Sequence, residues 1–159
     1  MTGSWRRRSP GNSPRSQGND GLSRTGAVTS FFADTSAWYD LIDGRSPHHE
    51  RVAVAAGEAR SLVTTTFVLH ELIALLVSRS HRHAAEQAGE FIRSSPTIRL
   101  VHPSADEEER AWRLFLARPD KGYSLTDCLS FVVMRRLRLN TALATDAHFV
   151  QEGFRVVPF

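Results

Sequence analysis

A chain of 159 residues, 41% hydrophobic and 23% charged, has the length and apolar content for one domain with a real core. Its single cysteine, Cys128, excludes an internal disulfide and any cysteine-based zinc cluster. No apolar run approaches the roughly 20 residues that span a bilayer. No signal-peptide core precedes the first strand, so the expectation is a cytoplasmic protein with no membrane partner.

The net charge of +3 is unevenly spread. Arg6, Arg7, Arg8, Arg15 and Arg24 face only Asp20 within residues 1–28, and the remainder is close to neutral. Residues 1–26 are rich in Ser, Gly, Arg, Asn and Pro, with no hydrophobic period, and read as a disordered basic tail. Such a tail can hold nucleic acid loosely through counterion release, or simply be solvated. The folded domain is expected over residues 27–159.

Residues 28–33, rich in Val and Phe, read as a buried strand. A short helix over 36–43 is broken at Gly44 and Pro47. A second helix over 48–60 places Val52, Ala55, Ala56 and Ala59 on one face. A β-branched strand over 61–65 leads into a long helix over 66–80, apolar on nearly all sides except at Glu71. A helix over 82–94 ends before Pro96, and a strand follows over 97–102. Ser104 opens a helix with Glu107 three residues on, a capping box that accounts for the acid run 106–109. The spacing then predicts a helix over 124–137, with Arg135, Arg136 and Arg138 at its basic end. Those arginines either complement the helix C-terminus or bind RNA phosphates. A strand over 141–145, a short helix over 146–152 stopped by Gly153, and a strand over 155–157 complete the chain. This alternation predicts an α/β fold with a mostly parallel sheet covered by helices on both faces.

Four acids stand out. Asp34 and Asp146 each follow a strand, at the edge where α/β sheets bind ligands. Glu71 interrupts an apolar helix, where an ionised carboxylate is costly unless paired or bound to a metal. Asp127 lies three residues after Ser124. Each also has a local reading: Asp34 and Asp146 as helix N-caps, Asp127 as half of a capping box, Glu71 as a solvated or arginine-paired side chain. If the four converge, their mutual repulsion requires cations. Hard oxygen donors select Mg²⁺ or Mn²⁺, and such a centre suits phosphodiester cleavage.

Asp34-Thr35-Ser36 after a hydrophobic strand, Glu71 early in a long helix, Ser124-Leu125-Thr126-Asp127, and Leu143 to Phe149 resemble, in order and approximate spacing, the motifs of PIN-domain ribonucleases. Gly153 to Pro158 resembles the family's last strand, and the small size resembles the VapC toxins of toxin–antitoxin pairs. The resemblance covers about residues 28–159. It implies a three-layer α/β/α sandwich with a five-stranded parallel sheet, and Mg²⁺- or Mn²⁺-dependent endonuclease action on RNA. It also implies a homodimer and a small antitoxin partner. Carried over by position, Asp34, Glu71 and Asp127 would bind metal, Asp146 would be the fourth acid, and Ser36 would help hold Asp34 or a bound water.

Other groups are weaker. The seven histidines form no zinc pattern. His148 is placed to touch substrate phosphate. Trp38 and Trp112 read as core or dimer contacts. No P-loop or GxGxxG is present, which argues against a nucleotide-binding domain. The alternative reading is a non-catalytic module of the same fold that binds RNA or a partner protein. A dehalogenase-type phosphatase would want a second aspartate two residues after the first, where this chain has Ser36.

Overall fold

The computed structural model describes residues 29–158. The expected tail over 1–26, the onset at residue 27 and Phe159 lie outside them. Strand β1 (Ser30–Ala33) is followed by helices α1 (Thr35–Ile42) and α2 (His49–Glu58). Strand β2 (Ser61–Thr65) leads into α3 (Thr66–Ser78) and α4 (Arg82–Ser94), and β3 (Ile98–Val101) into α5 (Ala105–Ala117) and α6 (Leu125–Leu137). Strand β4 (Thr141–Leu143), α7 (His148–Gln151) and β5 (Arg155–Val157) close the chain.

The five strands form one sheet in the order β3-β2-β1-β4-β5, and every pair is parallel. Parallel crossovers are right-handed, which fixes the layers. The connections β1→β2→β3 step one way and put α1 to α4 on one face. The chain then crosses back to β4 and steps the other way, which puts α5 to α7 on the opposite face. The packing of α1 on α3, α3 on α4 and α5 on α6 agrees. The fold is the three-layer α/β sandwich expected.

The central strands are buried, with Phe32, Ala33, Ala142 and Leu143 inaccessible to solvent. Phe131 of α6 meets Phe149 of α7 edge-to-face at 5.0 Å, under the β4–β5 half of the sheet. Trp38 belongs to the core on the other face, and its indole N–H donates to Thr64 Oγ1. Trp112 does not: it is 46% exposed on α5 and stacks on Phe115.

Several elements are shorter than their sequence pattern, and for β4 and α7 the cause is visible. β4 stops at Leu143 because the Thr145 N–H goes to Ser36 Oγ instead of a neighbouring strand. α7 starts at His148 because Asp146 Oδ1 takes the His148 N–H in a local turn. Both departures fall where the chain hands over Asp146. β1 and β4 are neighbours whose following connections leave toward opposite faces. The crevice beyond their C-terminal ends is the topological switch point, the favoured binding position in sheets of this type.

Candidate active site

Each acid reaches the crevice from a different element. Asp34 is the N-cap of α1. Its N–H donates to Leu143 O (3.0 Å), which ties β1 to β4. Its Oδ2 accepts from the Ser36 N–H (3.0 Å) and the Ser36 hydroxyl (2.7 Å). Glu71, in the second turn of α3, accepts through Oε2 from the Thr35 hydroxyl (2.5 Å). Asp127 closes the capping box of α6: its N–H donates to Ser124 Oγ (3.0 Å) and its Oδ2 accepts from the Ser124 N–H (2.7 Å). Asp146 follows β4, and its Oδ1 is held by the His148 N–H (2.9 Å).

These four acids line one cleft of ≈ 350 Å³, together with Ser36, Ser124 and His148. Among the described residues, no Lys or Arg lines it. Two of the local readings are therefore also true, since Asp34 caps a helix and Asp127 completes a capping box; the N-cap of α7 is Ala147 and not Asp146, and Glu71 is held by the Thr35 hydroxyl and not by an arginine. In each carboxylate one oxygen is engaged by its own neighbourhood. The other (Asp34 Oδ1, Glu71 Oε1, Asp127 Oδ1, Asp146 Oδ2) has no hydrogen bond among the described residues.

The electrostatics follow from this crowding. Asp34 is 3% exposed. Burial pushes its carboxyl up to about 7, against the pull of the two Ser36 hydrogen bonds; the charges of Asp146 and Asp127 add to the rise. Among the described residues no three His, Cys, Asp or Glu side chains make a ready-made metal-holding group. Uncompensated carboxylates repel one another, and an open arrangement follows. Mg²⁺ tolerates it, because that ion keeps several waters and uses only one or two carboxylates directly. The free oxygens, all hard donors without a cationic partner, fit such an ion.

Ser36 holds Asp34 as expected, and it does more. Its hydroxyl donates to Asp34 and accepts the Thr145 N–H (3.1 Å), so one side chain spans β1 and β4. The supports behind it escaped the sequence reading. The Thr145 hydroxyl donates to Asp40 Oδ2 (2.9 Å), and Ser46 donates to Asp40 Oδ1 (2.5 Å). Asp40 is buried in α1 and braces the loop that carries Asp146. Its signal was an acid inside the run Trp38-Tyr39-Asp40-Leu41-Ile42, but its partner lies 105 positions away. His148 Nδ1 donates to Asp127 Oδ2 (3.1 Å), and its ring packs edge-on against Tyr123 at 5.4 Å.

An all-parallel α/β/α sandwich with four acids at its switch point describes a known class. The PIN domain family matches residues 31–154, and this chain belongs to that family. A relative from two strains of Mycobacterium tuberculosis, the 23S rRNA-specific endonuclease VapC20, is 36% identical over 125 residues, which is 78% of this chain and 95% of the relative. The crystal structure of that VapC20, described as a sarcin–ricin loop cleaving toxin, matches with a TM-score of 0.74 at 34% identity, covering 78% of this chain and 95% of that one. A toxin–antitoxin complex from Klebsiella pneumoniae shares the fold, with a TM-score of 0.57 at 16% identity, covering 80% of this chain and 95% of that one.

Proposed function

We propose that this chain is a Mg²⁺- or Mn²⁺-dependent endoribonuclease and the toxin of a toxin–antitoxin pair. The observation that carries the reading is the cleft itself: four carboxylates from four separate elements, each with an oxygen to spare and, among the described residues, no Lys or Arg lining the space between them. The 36% identity to a ribosomal RNA endonuclease supports RNA as the substrate.

In this reading Asp34, Glu71 and Asp127 would hold the cation, one or two of them directly and the rest through its waters, and Asp146 would contact it through water or orient the other ligands. When bound, the cation neutralises phosphate charge and makes a water acidic enough to attack the phosphodiester. The chain's own groups prepare that event. Ser36 locks the rotamer of Asp34 and leaves Oδ1 for the ion. Thr35 does the same for Glu71. His148, fixed by Asp127 and by Tyr123, lines the cleft where its imidazole can contact an incoming phosphate.

Protein partners follow from surface chemistry. An apolar groove of ≈ 330 Å³ lined by Trp38, Leu41, Ile42, Phe91 and Ile98 supports a small antitoxin. Exposed Trp112, Phe115 and Leu116 on α5 support a homodimer. A cytoplasmic location accords with an RNA target.

The open spacing of the acids favours one rival, a non-catalytic module that binds RNA or a partner protein with this fold. RNA cleavage in Mg²⁺ separates the two. Asp34→Asn should lower cleavage at least about 100-fold while the fold is retained, since loss of a metal ligand exceeds the 10–100-fold of a supporting residue. Calorimetric titration with Mn²⁺ should show saturable binding that Glu71→Gln removes. No cleavage and no Mn²⁺ binding by the unmodified protein would leave the module reading standing.

A further inference from the structure

The edge of the sheet opposite the acids carries the opposite charge. Arg60 precedes β2, Arg99 lies in β3, Arg138 precedes β4 and Arg155 opens β5. All four are exposed, and none has an ion pair or a side-chain hydrogen bond among the described residues. They contrast with Arg135 and Arg136 nearby, whose guanidiniums are bound by Glu152 and Glu107. Between α6 and the strands at this edge lies a polar cleft of ≈ 550 Å³, lined by Ser30, Ser61, Arg99, Arg138, Asn140 and Thr141. No acid lines it. The backbones of Arg60 and Arg155 hydrogen-bond to Thr29 and Asn140 on its rim.

Arg99 alone has a simple explanation, since a charge on an edge strand discourages sheet-to-sheet pairing. Arg138 does not. It sits at the end of α6 with φ 55°, a left-handed position that Gly or Asn fills with less strain. An arginine kept there, unpaired and facing a cleft with a second unpaired arginine, calls for an anion. Hydroxyl and amide groups between the two guanidiniums suit phosphate oxygens. The first 28 residues, with five arginines against one aspartate, join the fold at Thr29 on the same cleft.

We propose that this edge is a second RNA-binding site. Arg99 and Arg138, with Arg60 and Arg155 beside them, hold backbone phosphates of a folded RNA while another part of that RNA lies in the acid cleft. The strands separating the two ends are three to five residues long, about 10–16 Å, so an RNA that reaches both ends passes around the helices covering the sheet. The site makes the protein select structured RNA over short single strands. This inference rests on the nuclease reading for its substrate class.

The test uses the full chain, an RNA hairpin of about 30 nucleotides and a single-stranded hexanucleotide, with binding measured by fluorescence anisotropy in EDTA so that nothing is cleaved. The double variant Arg99→Gln/Arg138→Asn keeps a residue suited to the left-handed position. It should bind the hairpin at least about tenfold more weakly at 0.1 M salt, and lower the slope of log K against log salt by roughly 2, as expected for two lost phosphate contacts. Hexanucleotide binding should not change. The pair Arg99→Lys/Arg138→Lys should restore the slope. Unchanged hairpin affinity overturns the proposal, as does an equal loss on the hexanucleotide or no recovery with lysine. Binding of a polyglutamate peptide in place of the hairpin also overturns it, in favour of an acidic protein partner. The nuclease reading fails separately, if the unmodified protein cleaves neither RNA in Mg²⁺ or Mn²⁺.

Discussion

Asp34 shows at the scale of one residue how a site works against the fold that holds it. Its carboxyl is pushed up from 3.8 to about 7 by burial, with Asp146 and Asp127 adding to the effect. The folded state therefore holds this proton more tightly than the unfolded chain does. The stabilisation from that proton is fully present below about pH 4 and is lost as pH rises through about 7. A rise of that size corresponds to about 4 kcal/mol as an upper bound. Asp34→Asn, which cannot ionise, should raise the melting temperature of the metal-free protein at pH 8 and flatten its decline between pH 4 and 8. Calorimetric melts across that range check this; a lower melting temperature for the variant at pH 8 would refute it. The substitution expected to lower cleavage should thus stabilise the protein.

At the scale of elements, two helices begin with the same device and do different things with it. α5 starts with Ser104 and Glu107, and α6 starts with Ser124 and Asp127; both are complete capping boxes. Spacing alone revealed both. Their different fates depend on distant partners: Glu107 meets Arg136, 29 positions on, whereas Asp127 meets His148 and shares its cleft with three acids. Burial raises the Glu107 carboxyl, but the Ser104 N–H and Arg136 outweigh it and hold the group below its ordinary value. Glu107→Gln should destabilise the fold by about 1–3 kcal/mol and leave RNA cleavage unchanged, because it breaks a largely buried charged hydrogen bond far from the cleft. Urea denaturation and a cleavage assay together test it. Arg135 and Arg136 teach the same lesson: their position in the last turn read equally as phosphate binding, and only the fold shows their carboxylate partners. Strand and helix positions were legible because period and capping are local. Asp40 was not, because the hydroxyl that explains its burial comes from the far end of the chain.

For the molecule as a whole, four acids gather at one end of the sheet and Arg60, Arg99, Arg138 and Arg155 lie toward the other. The PIN-like motifs in the sequence implied a five-stranded parallel sheet, and the structure has one, with β1 in the middle. The central position of β1 was not readable from hydrophobic pattern, which sets burial but not neighbour order. A cation bound to the acid edge stabilises only the folded chain. Mg²⁺ at about 100 times its dissociation constant should add about 2.7 kcal/mol, seen as a rise of several degrees in melting temperature. The rise should be larger at pH 8 than at pH 6, where protons compete for the same carboxylates, and EDTA should reverse it. No rise in the unmodified protein at either pH would count against a cation site.

The Ser36 hydroxyl that spans β1 and β4 joins positions 109 residues apart. A ribosome making this chain exposes Asp34 and Glu71 long before Asp127 and Asp146 exist, and the middle strand waits for its partner on one side until residue 143 has emerged. Half-made chains thus carry two of the four acids without the other two. Whatever this cleft does cannot begin until residue 146 has been made and β4 has docked beside β1, so the site is among the last parts of the fold to be assembled.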